Sequence, residues 1–134
     1  MIKQVIVWRK DLKCRKGKFA AQIAHASMKV FFDRIQKEKV GGTFCSEEMY
    51  DYACYFTPEM EQWKEGSFTK IVVGCKDIRE LHELHHKAID AQIPCAMIED
   101  EGRTEFKVPT CTCLAIGPDE AEKIDKITGN MELL

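Results

Sequence analysis

The chain has 134 residues, 45% of them hydrophobic and 31% charged, with a formal net charge of −2. These are the proportions of an ordinary soluble domain, long enough to bury about two-thirds of the surface its unfolded chain exposes. No apolar run approaches the roughly 20 residues that cross a bilayer and the first residues lack a signal peptide's apolar centre, which argues against membrane and secreted proteins and for the cytoplasm. The seven cysteines agree: the number is odd and no CxxC occurs, so reduced thiols are expected rather than a disulfide framework.

Residues 2–8, IKQVIVW, are short and rich in β-branched side chains, as in a strand buried on much of both faces. The next ten residues hold six cations, Arg9, Lys10, Lys13, Arg15, Lys16 and Lys18, against the single acid Asp11. This basic loop feeds a helix expected from about Lys18 to about Lys37, and a helix N-terminus with its unpaired N–H groups favours an anion such as phosphate. On that helix Lys18, Gln22, His25 and Lys29 share one stripe. The stripe either presents polar groups to a ligand or is a solvated face.

Gly41 and Gly42 mark a loop, after which Ser46, followed by Glu47 and Glu48, can cap a helix through Tyr55. Thr57 and Pro58 open a further helix that Gly66 stops, giving a broken helical hairpin. Residues 69–75 read as the second strand, and Asp77 with Glu80 as a variant capping box for a helix to about Ala91 whose buried stripe is Leu81, Leu84, His85 and Ala88. Strands three and four follow at 95–99 and 110–116, and a last helix starts at Gly117 to Glu120 and ends at Gly129. The order predicts one domain over residues 1–134, an α/β layer structure on a small, four-stranded mixed sheet, with an extended helical connection at about 39–57.

Charge is divided along the chain. Residues 1–39 hold 11 Lys and Arg against 3 Asp and Glu, a net of +8, and the remainder holds 9 against 19, a net of −10. A basic segment in an acidic chain is the footprint of a polyanion-binding face, with nucleic acid the leading partner class.

Three motifs bear on chemistry. His82-Glu83-Leu84-His85-His86 satisfies the HExxH zinc pattern, but His82 and His86 fall on the polar side of their helix, and a solvated face is the simpler reading. Cys14 lies among cations that would favour its thiolate and has His25 as a conceivable base, with no third orienting group evident. The segment Glu99 to Thr104 follows a strand end, where α/β folds place ligands. There Asp100 can orient or deprotonate water, with hydroxyls from Thr104 and Thr112. The competing reading is a polar turn with Arg103 paired to a neighbouring acid.

Four segments, DLKCRKGKFAAQIAHA at 11–26, EGSFTKIVV at 65–73, IEDEGRTEF at 98–106 and TCTCLAIGPDEAEKIDKITGNMELL at 110–134, together resemble the archaeal/eukaryotic-type peptidyl-tRNA hydrolase family. The resemblance implies a three-layer fold with helices on both faces of the sheet. It also implies a metal-independent, cofactor-free hydrolase that cleaves the ester between peptide and terminal ribose in peptidyl-tRNA, often as a homodimer. By motif it carries catalytic roles to Lys18, Asp100, Thr104 and Thr112, and places Gln22 and His25 at the tRNA-binding helix. Lys13, Arg15, Lys16 and Arg103 are expected to hold phosphates. A non-catalytic tRNA-binding module of the same fold is the alternative. The long 39–57 segment departs from the family pattern.

Overall fold

The computed structural model describes residues 1–39 and 49–134. In chain order the elements are β1 (Ile2–Arg9), α1 (Lys16–Phe32), β2 (Ile35–Lys39), β3 (Tyr50–Cys54), α2 (Pro58–Glu65), β4 (Lys70–Cys75), α3 (Ile78–Asp90), β5 (Cys95–Asp100), β6 (Thr110–Glu120), α4 (Ala121–Thr128) and β7 (Glu132–Leu133). Among these residues no helix is long and apolar enough to cross a membrane.

Because successive side chains of a strand point to opposite faces, a strand that is apolar throughout needs cover on both. In β1, Val5 and Val7 join one core with Leu81, Leu84 and Ala88 of α3 and Ile124 of α4. Ile6 and Trp8 join a second core with Ala26 and Val30 of α1 and Met60 of α2. Helices therefore cover both faces of a mixed sheet ordered β5-β6-β1-β4-β7. β1 pairs in parallel with β4, and β6 pairs antiparallel with both β1 and β5, so β1, β4 and β5 run in one direction. Their C-terminal residues Arg9, Cys75 and Asp100 share one end of the sheet.

The expected four strands are thus five, with a separate two-stranded sheet, β2–β3. The fifth, β7, pairs two residues with Val73 and Gly74 of β4, too few for an alternating pattern to register. The extended helical connection is also corrected: α1 ends at Phe32, and residues 50–54 form a strand whose register runs from Ile35 opposite Cys54 to Lys39 opposite Tyr50. Alternating Tyr50 and Tyr52 suit a pleated surface, and the Lys37 ammonium sits 3.7 Å from the Tyr50 ring centroid. The expected cap at Ser46 lies outside the described residues.

Caps at the other helices agree with the residues that signal them. The Thr57 hydroxyl accepts the Met60 N–H at 3.1 Å, with Pro58 at the first helical position. Asp77 accepts the Glu80 N–H at 3.0 Å. The last helix begins at Ala121, later than expected, because β6 continues to Glu120 through a bulge opposite Gln4. Gly117, in that bulge, has φ +92°, and a Cβ there would lie 2.8 Å from the Lys3 carbonyl oxygen.

Candidate active site

Three of the residues expected to carry chemistry meet beyond the end of β5. The Lys18 ammonium, in the first turn of α1, donates to Asp100 Oδ2 at 2.5 Å and to Thr104 Oγ1 at 2.9 Å. Asp100 Oδ1 accepts the Gly102 N–H at 2.9 Å, closing the turn after β5, and Gly102 adopts φ +80° there. A Cβ at Gly102 would fall 2.4 Å from the Val108 carbonyl carbon, so the loop closes tightly only around glycine. The Lys18 and Asp100 side chains keep 17% and 10% of their exposure, so the pair is largely shielded yet reachable from solvent. The Lys18 hydrogen bond, helped by the Gly102 N–H, Lys18's charge and Gln22, outweighs burial and holds the Asp100 carboxyl below its ordinary value of 3.8.

Beneath this pair lies a buried polar chain. Gln22 Nε2 donates to Asp100 Oδ2 at 3.2 Å, and the Thr112 hydroxyl donates to Gln22 Oε1 at 2.6 Å. An ionised carboxylate only accepts, so the amide must turn its N–H₂ end to Asp100 and its oxygen to Thr112. Gln22 is 3% exposed and Thr112 fully buried, so Thr112 reaches the surface cluster only through Gln22. The polar stripe read on α1 is therefore split: Gln22 is packed inside, His25 is exposed, and Lys29 pairs with Asp33 one turn on at 2.7 Å.

A family model described as Peptidyl-tRNA hydrolase PTH2 matches residues 2–134. Proteins named peptidyl-tRNA hydrolase from Methanopyrus kandleri and Thermococcus onnurineus are each 40% identical to this chain, over 100% and 98% of it and 99% and 97% of their own lengths. One of the same name from Sulfurisphaera tokodaii is 37% identical over 98% of both. The chain belongs to the peptidyl-tRNA hydrolase family. As a member it is a hydrolase acting on ester bonds.

An ester hydrolase needs positive charge where the oxyanion forms and an acceptor that can hold water, and Lys18 and Asp100 bring both chemistries to one spot. Of the basic residues nearby, Lys13, Arg15, Lys16 and Arg103 are exposed. Arg15 faces Glu105 at 3.3 Å and Arg103 faces Glu101 at 3.0 Å. Part of the loop's charge is used internally: Arg9 pairs with Asp11 and donates to the Cys111 carbonyl at 2.9 Å, and Lys10 pairs with Glu132.

Two motifs fall outside the cluster. His82 and His86 are exposed on α3, which packs on the face of the sheet opposite α1. Cys14 packs against the α1-side core, and burial, with Glu105, raises its thiol pKa despite Lys18. The expectation that surrounding cations favour its thiolate is thereby reversed, because desolvation outweighs them.

Sequence reasoning missed Glu105 and Phe106. The Phe106 ring is 9% exposed in the α1-side core, with its centroid 5.7 Å from the Lys18 ammonium. Their signal was adjacency to Thr104, which gave no indication that consecutive residues would grip α1. A cavity of about 470 Å³ between α3 and the turn after α4, lined by Lys76, Glu80, Leu84 and Met131 among others, does not include the Lys18–Asp100 pair. The pair instead stands where β5 ends against the first turn of α1.

Proposed function

We propose that the chain hydrolyses peptidyl-tRNA at the ester between the peptide and the terminal ribose, with Lys18 and Asp100 at the reacting group. The observation that carries this reading is the direct contact of these two side chains, 82 positions apart in sequence, at the sheet end where parallel strands finish. Two of the three ammonium protons of Lys18 are directed at Asp100 and Thr104. The third supplies charge to the oxyanion formed when water attacks the carbonyl. Because its pKa is lowered, Asp100 is a weak base; its larger contribution is to fix Lys18 and orient the water. Thr104 is a second contact on the ammonium. Gln22 and Thr112 act as positioning residues that hold the carboxylate.

Exposed Lys13, Lys16, Arg15 and Arg103, with His25 on α1, are assigned to the tRNA. Contacts of this kind go to phosphates, carry little sequence information and weaken with salt. In this reading the chain works as one domain, in the cytoplasm, as a homodimer, and without metal because Lys18 provides the positive charge. The test is release of tRNA from an N-acetylaminoacyl-tRNA by purified protein in excess chelator. Cleavage supports the reading; folded protein that binds the tRNA salt-sensitively and leaves the ester intact would make it a binding module.

The sign of the pH dependence follows from Asp100. A carboxyl lowered on folding stabilises the folded state above its unfolded value, and loses that contribution as pH falls through the folded one. Between about pH 5 and 8 the pH–rate profile should therefore carry no step from Asp100.

A further inference from the structure

Residues at the start of a helix leave N–H groups without partners, and a common solution uses a Glu or Gln at the third helical position, whose side chain reaches back to the N-cap N–H. In α1 the N-cap is Arg15, it makes no side-chain capping hydrogen bond, and the first turn holds no acid. The third helical position is Lys18, a side chain that only donates. The residue that serves the ester is thus the one that would otherwise cap the helix.

The acceptor comes from elsewhere in the chain. Glu105 Oε2 accepts the Arg15 N–H at 2.9 Å from 90 positions away, and its Oε1 lies 3.3 Å from Arg15 Nε. The Arg15 side chain is 91% exposed and that of Glu105 26%, so water screens the charge pair and the backbone contact is the firmer one. Glu105 sits between Thr104, on the Lys18 ammonium, and Phe106, beneath it. Three consecutive residues of one loop therefore meet the first turn of α1, Glu105 at its N-cap and Thr104 and Phe106 at the Lys18 ammonium.

We propose that Glu105 is a positioning residue for the hydrolysis, replacing the missing cap of α1 and thereby fixing Thr104 and Asp100 against Lys18. The role rests on the reading of Lys18 and Asp100 given above, and it requires an acceptor at Glu105 more than a charge. Glu105→Ala removes the acceptor, and Glu105→Gln keeps it without the charge.

For Glu105→Ala, kcat for N-acetylaminoacyl-tRNA should fall about tenfold through misplacement of the reacting groups, while KM falls because Arg15 is freed for phosphate. Glu105→Gln should recover most of kcat while keeping the lower KM. Backbone hydrogen exchange in residues 101–109 and the first turn of α1 should accelerate in the alanine variant and stay near the parent rate in the glutamine variant. Equal exchange in all three proteins, or a glutamine variant as impaired as the alanine one, would overturn the proposal. A parent protein that cleaves no ester would refute the hydrolase reading, and the exchange comparison would still decide whether Glu105 holds the loop.

Discussion

The two faces of the sheet are built alike, with two helices over strand residues, yet they use buried polar side chains differently: beside α4, Lys3 pairs with Asp125 and Thr128 donates to the Ile124 carbonyl of its own helix, whereas beside α1 a chain runs from Thr112 through Gln22 to Asp100. On the α3–α4 face the helices bury Leu81, Leu84, Ala88 and Ile124 and leave His82 and His86 outside. On the α1–α2 face, Gln22 lies in the same buried stripe as Ala26 and Val30 and hydrogen-bonds to Thr112 and Asp100. A buried amide without partners costs about 1–3 kcal/mol, so such a chain is retained only when every member is satisfied. Among the described residues no buried side-chain nitrogen or oxygen lacks a partner. On the α3–α4 face the buried polar groups close on local partners, as stability alone requires, and the chain on the α1 face shows where a carboxylate has to be held.

Three substitutions and one rescue variant test this contrast. The largest effect is expected from Lys18→Met, which keeps an unbranched apolar side chain and removes the charge: kcat should drop by about 10²- to 10³-fold, and the Asp100 pKa should rise because its main depressing partner is gone. Thr112→Val should lower kcat about tenfold with little change in KM, cost about 1–3 kcal/mol through the unpaired Gln22 oxygen, and be largely rescued by Thr112→Ser. On the other face, Leu84→Ala should cost about 2–5 kcal/mol in denaturant unfolding while leaving kcat of the folded protein unchanged. A large kcat loss for Leu84→Ala, or none for Thr112→Val, would erase the distinction between the faces.

Much of the fold was legible because its signals are local. The apolar run of β1, the Thr57-Pro58 and Asp77 starts and the TCTCLAI alternation each declare their element within a few residues. What escaped depends on partners distant in sequence: β7 is two residues defined by β4, and β3 exists through its pairing with β2. The site divides in the same way. Lys18, Asp100, Thr104 and Thr112 were named together through the family resemblance, since their residue types alone also fit a solvated helix face and a polar turn. The burial of Gln22 was illegible because a glutamine on a helical stripe has the same pattern facing water or a carboxylate. Glu105 was missed because the deficiency it answers, a helix start without its own cap, lies 90 positions earlier.

The most direct measurement of the central claim is single-turnover hydrolysis of N-acetylaminoacyl-tRNA by Asp100→Asn, with tRNA affinity measured on the same preparation. Asparagine keeps the size of the side chain but cannot hold the ammonium and the Gln22 amide as a carboxylate does. Hydrolysis should fall by about two orders of magnitude or more while tRNA affinity stays within about threefold of the parent. Hydrolysis at the parent rate by folded Asp100→Asn protein would contradict the placement of the Lys18–Asp100 pair at the reacting ester.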